Sequence, residues 1–325
     1  AGNGDIFIND AVSCSSAHSL TLNAQRNIDV NANVSITGSG ALALNTGLGG
    51  GGDLDFTLGL GRVEFTNVTS GNNMALAING QAYTLENTLA DLATDIAASP
   101  SGFYALAGNY DASADGIYSG APLSLTLLGT LEGLGNTISN VSASQNQSSF
   151  TLGGLIDAIG TPTDAGYVRD LQLKNMDLTL AGDNAFAGGL TSELINGTIS
   201  NVAVSGVLTV TGSHQDVGGI VGDMDNGVIE NSSSDMNILV EGDNDIIGGL
   251  VGAGRGSFTG SFATGEIASK GNSDIGGFIG SLGAGSITTS YASGDISAEG
   301  EGGAVGGFAG VSFAGTTIDH SYATG

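Results

Sequence analysis

The stretch Gly248-Gly249-Leu250-Val251-Gly252 decides how this chain folds, because it recurs. Gly-Gly followed by an apolar residue also stands at Gly188-Gly189-Leu190, Gly218-Gly219-Ile220, Gly276-Gly277-Phe278 and Gly306-Gly307-Phe308. Successive copies are spaced by about 30 residues, the scale of a stacked repeat. An earlier copy, Gly153-Gly154-Leu155, stands one longer unit before the first of these. Two further apolar positions keep the same phase. One runs through Ile199, Ile229, Phe258, Ile287 and Ile318; the other runs through Leu208, Ile238, Ile267 and Ile296. Each unit thus carries three short apolar segments separated by Gly, Ser, Asn and Asp.

Three strands and three turns per unit make one coil of a right-handed parallel β-helix. A single coil cannot bury its apolar side alone. Stacked on the next coil, about 4.8 Å away, it gains backbone hydrogen bonds along the axis and inward ladders of equivalent side chains. Each fully buried Leu, Ile or Phe in such a ladder is worth about 1.5–3 kcal/mol. The paired glycines, Gly188/Gly189 to Gly306/Gly307, are expected at corners, supplying backbone angles that other residues resist. A helical repeat needs apolar spacings of 3 and 4, which Ser286-Ile287-Thr288-Thr289-Ser290-Tyr291 lacks. A propeller blade takes about 40 or more residues.

Working outward, positions 1–80 keep a shorter rhythm. Leu20-Thr21-Leu22-Asn23 returns as Leu42-Ala43-Leu44-Asn45, and Ile6-Phe7-Ile8-Asn9 returns as Ile28-Asp29-Val30-Asn31. The step is the same in both cases, about 22 residues, again a repeat period. These alternating runs predict strands with Asn at the turns, and repeated Asn at one corner predicts a hydrogen-bonded ladder. Gly47–Gly52 reads as a loop between coils. Residues 81–122 break the pattern. Leu85, Leu89, Leu92 and Ile96 have helical spacing, Thr88 can cap the start, and Ser99-Pro100-Ser101-Gly102 ends the helix. A helix this short is expected to dock its apolar stripe on the core. About a dozen coils at 4.8 Å would make a rod of roughly 50–65 Å.

Composition bounds the function. Acidic residues number 32 against 6 basic, a net charge of −26. The cations Arg26, Arg62, Arg169, Lys174, Arg255 and Lys270 are scattered. Such a surface repels phosphate backbones and anionic membranes, so neither nucleic acid nor membrane insertion is expected. There are 57 Gly and only 3 Pro, which excludes collagen. Cys14 is the single cysteine, so no internal disulfide forms. No run of about 18 apolar residues offers a membrane span. Ala1-Gly2-Asn3-Gly4-Asp5 is not a signal peptide, and the repeats run to Gly325 without a polar cap. The expectation is a segment of a longer protein, or ends covered by neighbouring copies.

Gly248-Gly249-Leu250-Val251-Gly252, Gly285-Ser286-Ile287 and Ser321-Tyr322-Ala323-Thr324-Gly325 resemble the GLUG motif repeats of bacterial adhesins and IgA-protease-related surface proteins. The stretch from Gly129 to Asn140 resembles the entry segment that often precedes such repeats, and Leu20 to Ile28 resembles the coils of filamentous-haemagglutinin-type, two-partner-secretion exoproteins. The organisation expected is haemagglutinin-like coils over 1–80, a helix and loop interruption over 81–122, and GLUG-type repeats over 123–325. The resemblance implies export through an outer-membrane two-partner transporter, location on the bacterial surface, and adhesion or biofilm formation on host or matrix surfaces and glycans. The family's secretion domain is not recognisable here. End-to-end self-association into a filament and a β-helical polysaccharide-acting enzyme are the rival readings.

Catalytic patterns are sparse. His18, His214 and His320 are far apart, and no nucleophile elbow, phosphate loop or His-Glu-x-x-His motif occurs. No catalytic residue and no organic cofactor is assigned. Acid pairs stand at Asp223/Asp225 and Asp243/Asp245. Asp216, Asp245 and Asp274 precede successive Gly-Gly pairs and are candidates to stack at one corner and share Ca²⁺; the alternative is a solvated acidic turn. The register slips by one residue at Asp245. Sequons at Asn33, Asn67, Asn140, Asn146, Asn196 and Asn231 are candidate glycosylation sites.

Overall fold

A computed structural model describes residues 4–66, 68, 74–146 and 152–325. It is all-β, a parallel solenoid of about nine turns with one short helix. The repeat defines the register directly. Gly188 pairs with Gly218, Gly218 with Gly248, Gly248 with Gly276, and Gly276 with Gly306. Ile199, Ile229, Phe258, Ile287 and Ile318 form a second unbroken column. Leu208, Ile238, Ile267 and Ile296 form the third. One turn consists of Asp216–Gly218, Val221–Glu230 and Ser233–Glu241. The residues after four of the Gly-Gly pairs, Leu190, Ile220, Leu250 and Phe278, are fully buried, and Phe308 after the last pair is half-buried. Phe278 stacks on Phe308 at 4.9 Å, nearly parallel, as residues one coil apart in a parallel ladder must.

The glycines serve a different purpose from the one expected. None of the ten Gly-Gly residues has a positive φ. A Cβ on Gly248 would meet the Val251 carbonyl oxygen at 1.9 Å, and one on Gly276 would meet that of Ile279 at 1.9 Å. The second glycine faces the neighbouring coil: a Cβ on Gly249 would lie 2.1 Å from the Gly277 carbonyl oxygen. The pair therefore makes room, both for a chain that folds back on itself and for the next coil. The left-handed corner belongs to another column, Asp170, Asn201, Asn231, Gly260, Thr289 and His320, with φ between 48° and 62°. Asn tolerates this region better than most side chains, which accounts for its frequency at these turns.

Beside that corner runs a buried serine ladder. Ser232, Ser261 and Ser290 each donate Oγ–H to the carbonyl two residues back, at 2.8, 3.1 and 2.9 Å. Each Oγ also accepts the N–H of the corresponding residue one coil earlier: Val202 to Ser232 at 3.1 Å, Ser232 to Ser261 at 3.2 Å, Ser261 to Ser290 at 3.3 Å. One hydroxyl thus satisfies two backbone groups that the corner takes out of the sheet. This is the physical reason for the serine that opens Ser261-Phe262-Ala263-Thr264-Gly265 and Ser290-Tyr291-Ala292-Ser293-Gly294. Outside it, Phe262, Tyr291 and Tyr322 stack at 4.8 and 5.4 Å.

The N-terminal coils form a separate short stack. Ile6 pairs with Ile28 and Leu20 with Leu42 across the short step, and Ile28 pairs with Leu54 across a longer one. Asn31 donates to Asn9 at 2.9 Å and Asn45 to Asn23 at 2.8 Å, the expected ladders. The helix covers Leu89–Ala98 with Thr88 as N-cap, and buries Leu89, Leu92 and Ile96 against the core that includes Leu123 and Leu127. Leu85 belongs instead to the strand Gln81–Glu86.

A single rod of a dozen coils is not what forms. In the third short coil, Phe65 N–H donates to the Ala107 carbonyl at 2.6 Å and Val63 N–H to that of Leu134 at 2.9 Å. Asn201 Nδ2 donates to the Phe56 carbonyl at 3.0 Å. Phe103, Thr130, Tyr167 and Thr198 stand in register, so Ala107, Leu134 and Asn201 lie on different turns of the long stack. One coil that reaches from the first to the fourth of these turns runs along the long axis. The two stacks therefore meet side-on. The reason is burial: the third coil's open apolar end, with Phe56 and Phe65, closes on Ala105, Ala107 and Leu134, and a solenoid end must be covered by something.

A buried polar network sits in that joint. Glu132, fully buried, takes the Arg169 Nε at 2.6 Å and the Leu134 N–H at 2.9 Å. Arg169 Nη2 donates to Tyr83 Oη at 3.2 Å, and Asn201 Nδ2 to Asp170 at 2.6 Å. Burial pushes the Glu132 carboxyl up against the pull of Arg169, and burial with the Glu132 charge pushes Asp170 well up.

Candidate binding groove on the long stack

The acidic residues of the sequence do not converge where the Gly-Gly spacing suggested. Asp216 pairs with Ile246, and Ile246 with Asp274, while Asp245 pairs with Ser273. The three carboxylates therefore form no column at this corner. The one-residue slip at Asp245 exchanges the faces of the strand, so Asp245 turns inward and is 1 % exposed. There it does backbone work: its Oδ1 accepts the Gln215 N–H at 2.9 Å, as Gln215 Oε1 accepts that of Ala185 at 2.9 Å. Asp274 likewise accepts the Ala304 N–H at 2.8 Å. Among the described residues no three His, Cys, Asp or Glu come together to hold a metal. A Ca²⁺ bridging Asp216, Asp245 and Asp274 thus has no ligand set, because the slip turns Asp245 to the other face and leaves Asp216 and Asp274 two coils apart.

The sequons divide. Asn140, Asn196 and Asn231 carry positive φ, and the first two spend their amide nitrogens on the neighbouring coil, on Asp111 at 2.8 Å and on the Thr161 carbonyl at 3.1 Å. Asn33 accepts from Arg62 at 3.3 Å, Asn146 and Asn231 are exposed, and Asn67 lies outside the described residues.

What does assemble is a groove on the sheet that follows the Gly-Gly corner. Ile156–Ile159, Thr191–Ile195, Val221–Glu230, Val251–Thr259, Ile279–Thr288 and Ala309–Ser312 stack there in order. Apolar Leu194, Met224 and Leu282 point in, so by strand alternation the residues beside them point out. Glu193 stands directly opposite Asp223 one coil away, and Asp225 opposite Arg255. Arg255 Nε reaches Asp225 at 2.5 Å. Asp223, Asp225, Arg255, Ser281 and Phe313 line a shallow groove of about 320 Å³, with Phe313 59 % exposed.

The electrostatics are those of crowded acids. Burial, then Asp223 and Asp157, push the Glu193 carboxyl up; burial, then Asp225, push Asp223 up, with Arg255 opposing. Asp216, behind the row, is pushed up to about 7 by burial and by Asp223 and Asp245. Elsewhere cations are neutralised locally: Arg26 by Asp5, Arg62 by Glu64, Lys270 by Glu241. The groove sets carboxylates, a guanidinium and an exposed ring side by side. The pair Asp223/Asp225 was visible in the sequence. Glu193 and Phe313 were not, because they lie far from that pair along the chain and only the register brings them close.

The GLUG motif family matches residues 271–297. That stretch is one turn, from the strand Ser273–Gly276 through Ile279–Thr288 and Tyr291–Ala292 to Ile296. The turns stacked on it carry the same column positions. The chain is therefore a GLUG-containing β-solenoid repeat protein. Comparison with the curated proteins gives no match.

Proposed function

We propose that this chain is a non-enzymatic part of a secreted bacterial surface protein, an adhesin or fibre segment that makes weak multivalent contacts with host or matrix glycans. The observation that carries this reading is the groove of Asp223, Asp225, Arg255, Ser281 and Phe313. An exposed aromatic beside hydrogen-bonding side chains suits the apolar face and hydroxyls of a sugar ring. Display of many copies of the chain on one surface suits avidity, since many weak contacts bind more tightly than one. The haemagglutinin-type resemblance supports export through a two-partner transporter and action in adhesion or biofilms. The test is binding of the purified chain, displayed multivalently, to an array of acidic and neutral glycans and to intact cells. Binding lowered at least tenfold by Phe313→Ser with Arg255→Ala supports the reading; no binding, or binding indifferent to both changes, overturns it.

A second reading has one observation in its favour. Glu193 and Asp223 face each other one coil apart with raised carboxyls, which is how a general acid is prepared. A polysaccharide-acting enzyme would show turnover abolished by Asp223→Asn, and a clean negative across glycan classes refutes it.

A further inference from the structure

Glu86 is a buried acid that the groove and the joint do not use. It ends the strand Gln81–Glu86, is 3 % exposed, and its Oε1 has no hydrogen-bond partner. It lines a cleft of about 400 Å³ together with Asn87, Asp91, Thr94 and Asp95. The local fold assembles this group. Thr88 caps the helix by accepting the Asp91 N–H at 3.0 Å and donating to Asp91 Oδ2 at 2.8 Å. That places Asp91 in the first turn and Asp95 one turn further on the same face. Asp95 comes within hydrogen-bonding reach of Glu86.

Two carboxylates in contact, one of them buried, repel unless something positive lies between them. Among the described residues no ion pair reaches Glu86, Asp91 or Asp95. Asn87 Nδ2 is spent on the Val68 carbonyl at 3.3 Å, which leaves its Oδ1 as a ligand. Thr94 Oγ1 donates its proton to the Ala90 carbonyl at 2.8 Å, which leaves its lone pairs. All the available donors are hard oxygens, and the set contains no His or Cys.

We propose that this cleft is a divalent-cation site in which Glu86 and Asp95 supply the charged ligands, Asn87 and Thr94 neutral oxygens, and water the remainder. An all-oxygen set with room for water selects Ca²⁺ over zinc. With two carboxylates in contact rather than three, the ion is exchangeable, in the roughly 10⁻⁴–10⁻³ M class of extracellular modules. Burial and the charge of Asp95 hold the Glu86 carboxyl up at about 7, so a proton competes with the ion for the same place.

The test is Tb³⁺ luminescence of the whole chain, excited through tyrosine, with Ca²⁺ as competitor. Tyr104 Oη donates to the Asp95 carbonyl at 2.9 Å, which puts an antenna beside the site. The expected result is saturable emission displaced by Ca²⁺, with affinity at least tenfold weaker in Glu86→Gln and in Asp95→Asn. Glu301→Gln, an exposed acid outside the cleft, is expected to behave as the parent chain. Unchanged circular dichroism shows that the variants fold. Non-saturable emission, or equal affinity in Glu86→Gln and the parent, overturns the site.

Discussion

Replacing Arg169 by Met tests whether the two stacks are locked by charge or only by apolar contact. Met keeps much of the packing of the Arg stem and removes the guanidinium. Glu132 then stays fully buried, still holding the Leu134 N–H but without a cation. Losing the 2.6 Å charged hydrogen bond alone costs about 1.5–3 kcal/mol. Stranding the buried carboxylate raises the total to about 3–5 kcal/mol. The Arg169 side chain is 30 % exposed, so water relieves part of this and the lower end is expected. Adding Glu132→Gln removes the stranded charge and should return at least half of the loss, because replacing both partners of a buried pair is far milder than removing one. Urea unfolding at pH 7, followed by circular dichroism with matched m values, measures both steps. The single variant should also recover at low pH, where Glu132 takes up a proton. Two results would refute the account of the joint. One is a single variant within about 0.5 kcal/mol of the parent, the range of a surface change that touches nothing. The other is a double variant no better than the single.

Three further outcomes follow from the long stack. Gly248→Ala places a Cβ 1.9 Å from the Val251 carbonyl oxygen, a backbone atom that cannot swing away, and should cost about 3 kcal/mol by thermal unfolding; a neutral result would remove the crowding explanation of the Gly-Gly column. Ser261→Ala strands the buried Ser232 N–H and should cost about 1–3 kcal/mol, with faster amide exchange at residue 232. Asp245 is pushed up to about 6, chiefly by burial, from an ordinary value of 3.8. An acid raised by folding stabilises the fold at low pH and gives that stability up as pH climbs through the folded value. The melting temperature should therefore fall between about pH 4 and pH 7, by an amount worth about 3 kcal/mol at most from this group, and Asp245→Asn should flatten the curve. An unchanged slope in that variant would show that other carboxyls set it.

Much of the fold was legible in one dimension because stacking copies a sequence period into space. Once Gly188, Gly218 and Gly248 recur at one fixed step, the column they form follows from identical coil lengths. The helix was legible for a similar reason: Thr88 and the spacing of Leu89, Leu92 and Ile96 are local signals. The candidate groove was only half legible. Asp223 and Asp225 are near neighbours, but Arg255, Ser281 and Phe313 join them by register across coils. The expected Asp216, Asp245 and Asp274 ladder failed on one residue of slip, since a strand alternates faces with every residue.

The sequence by itself determined that the chain is a solenoid, where its coils begin, and which apolar residues form its ladders. All of this is periodic, and period is a property of a string. Only the tertiary structure decided that the short stack lies against the flank of the long one, that Glu132 and Arg169 meet in that joint, and that Glu86 faces Asp95. Those contacts join segments that share no period. They arise because an open solenoid end must find an apolar surface to cover it, and nothing in the repeat itself says which surface that will be.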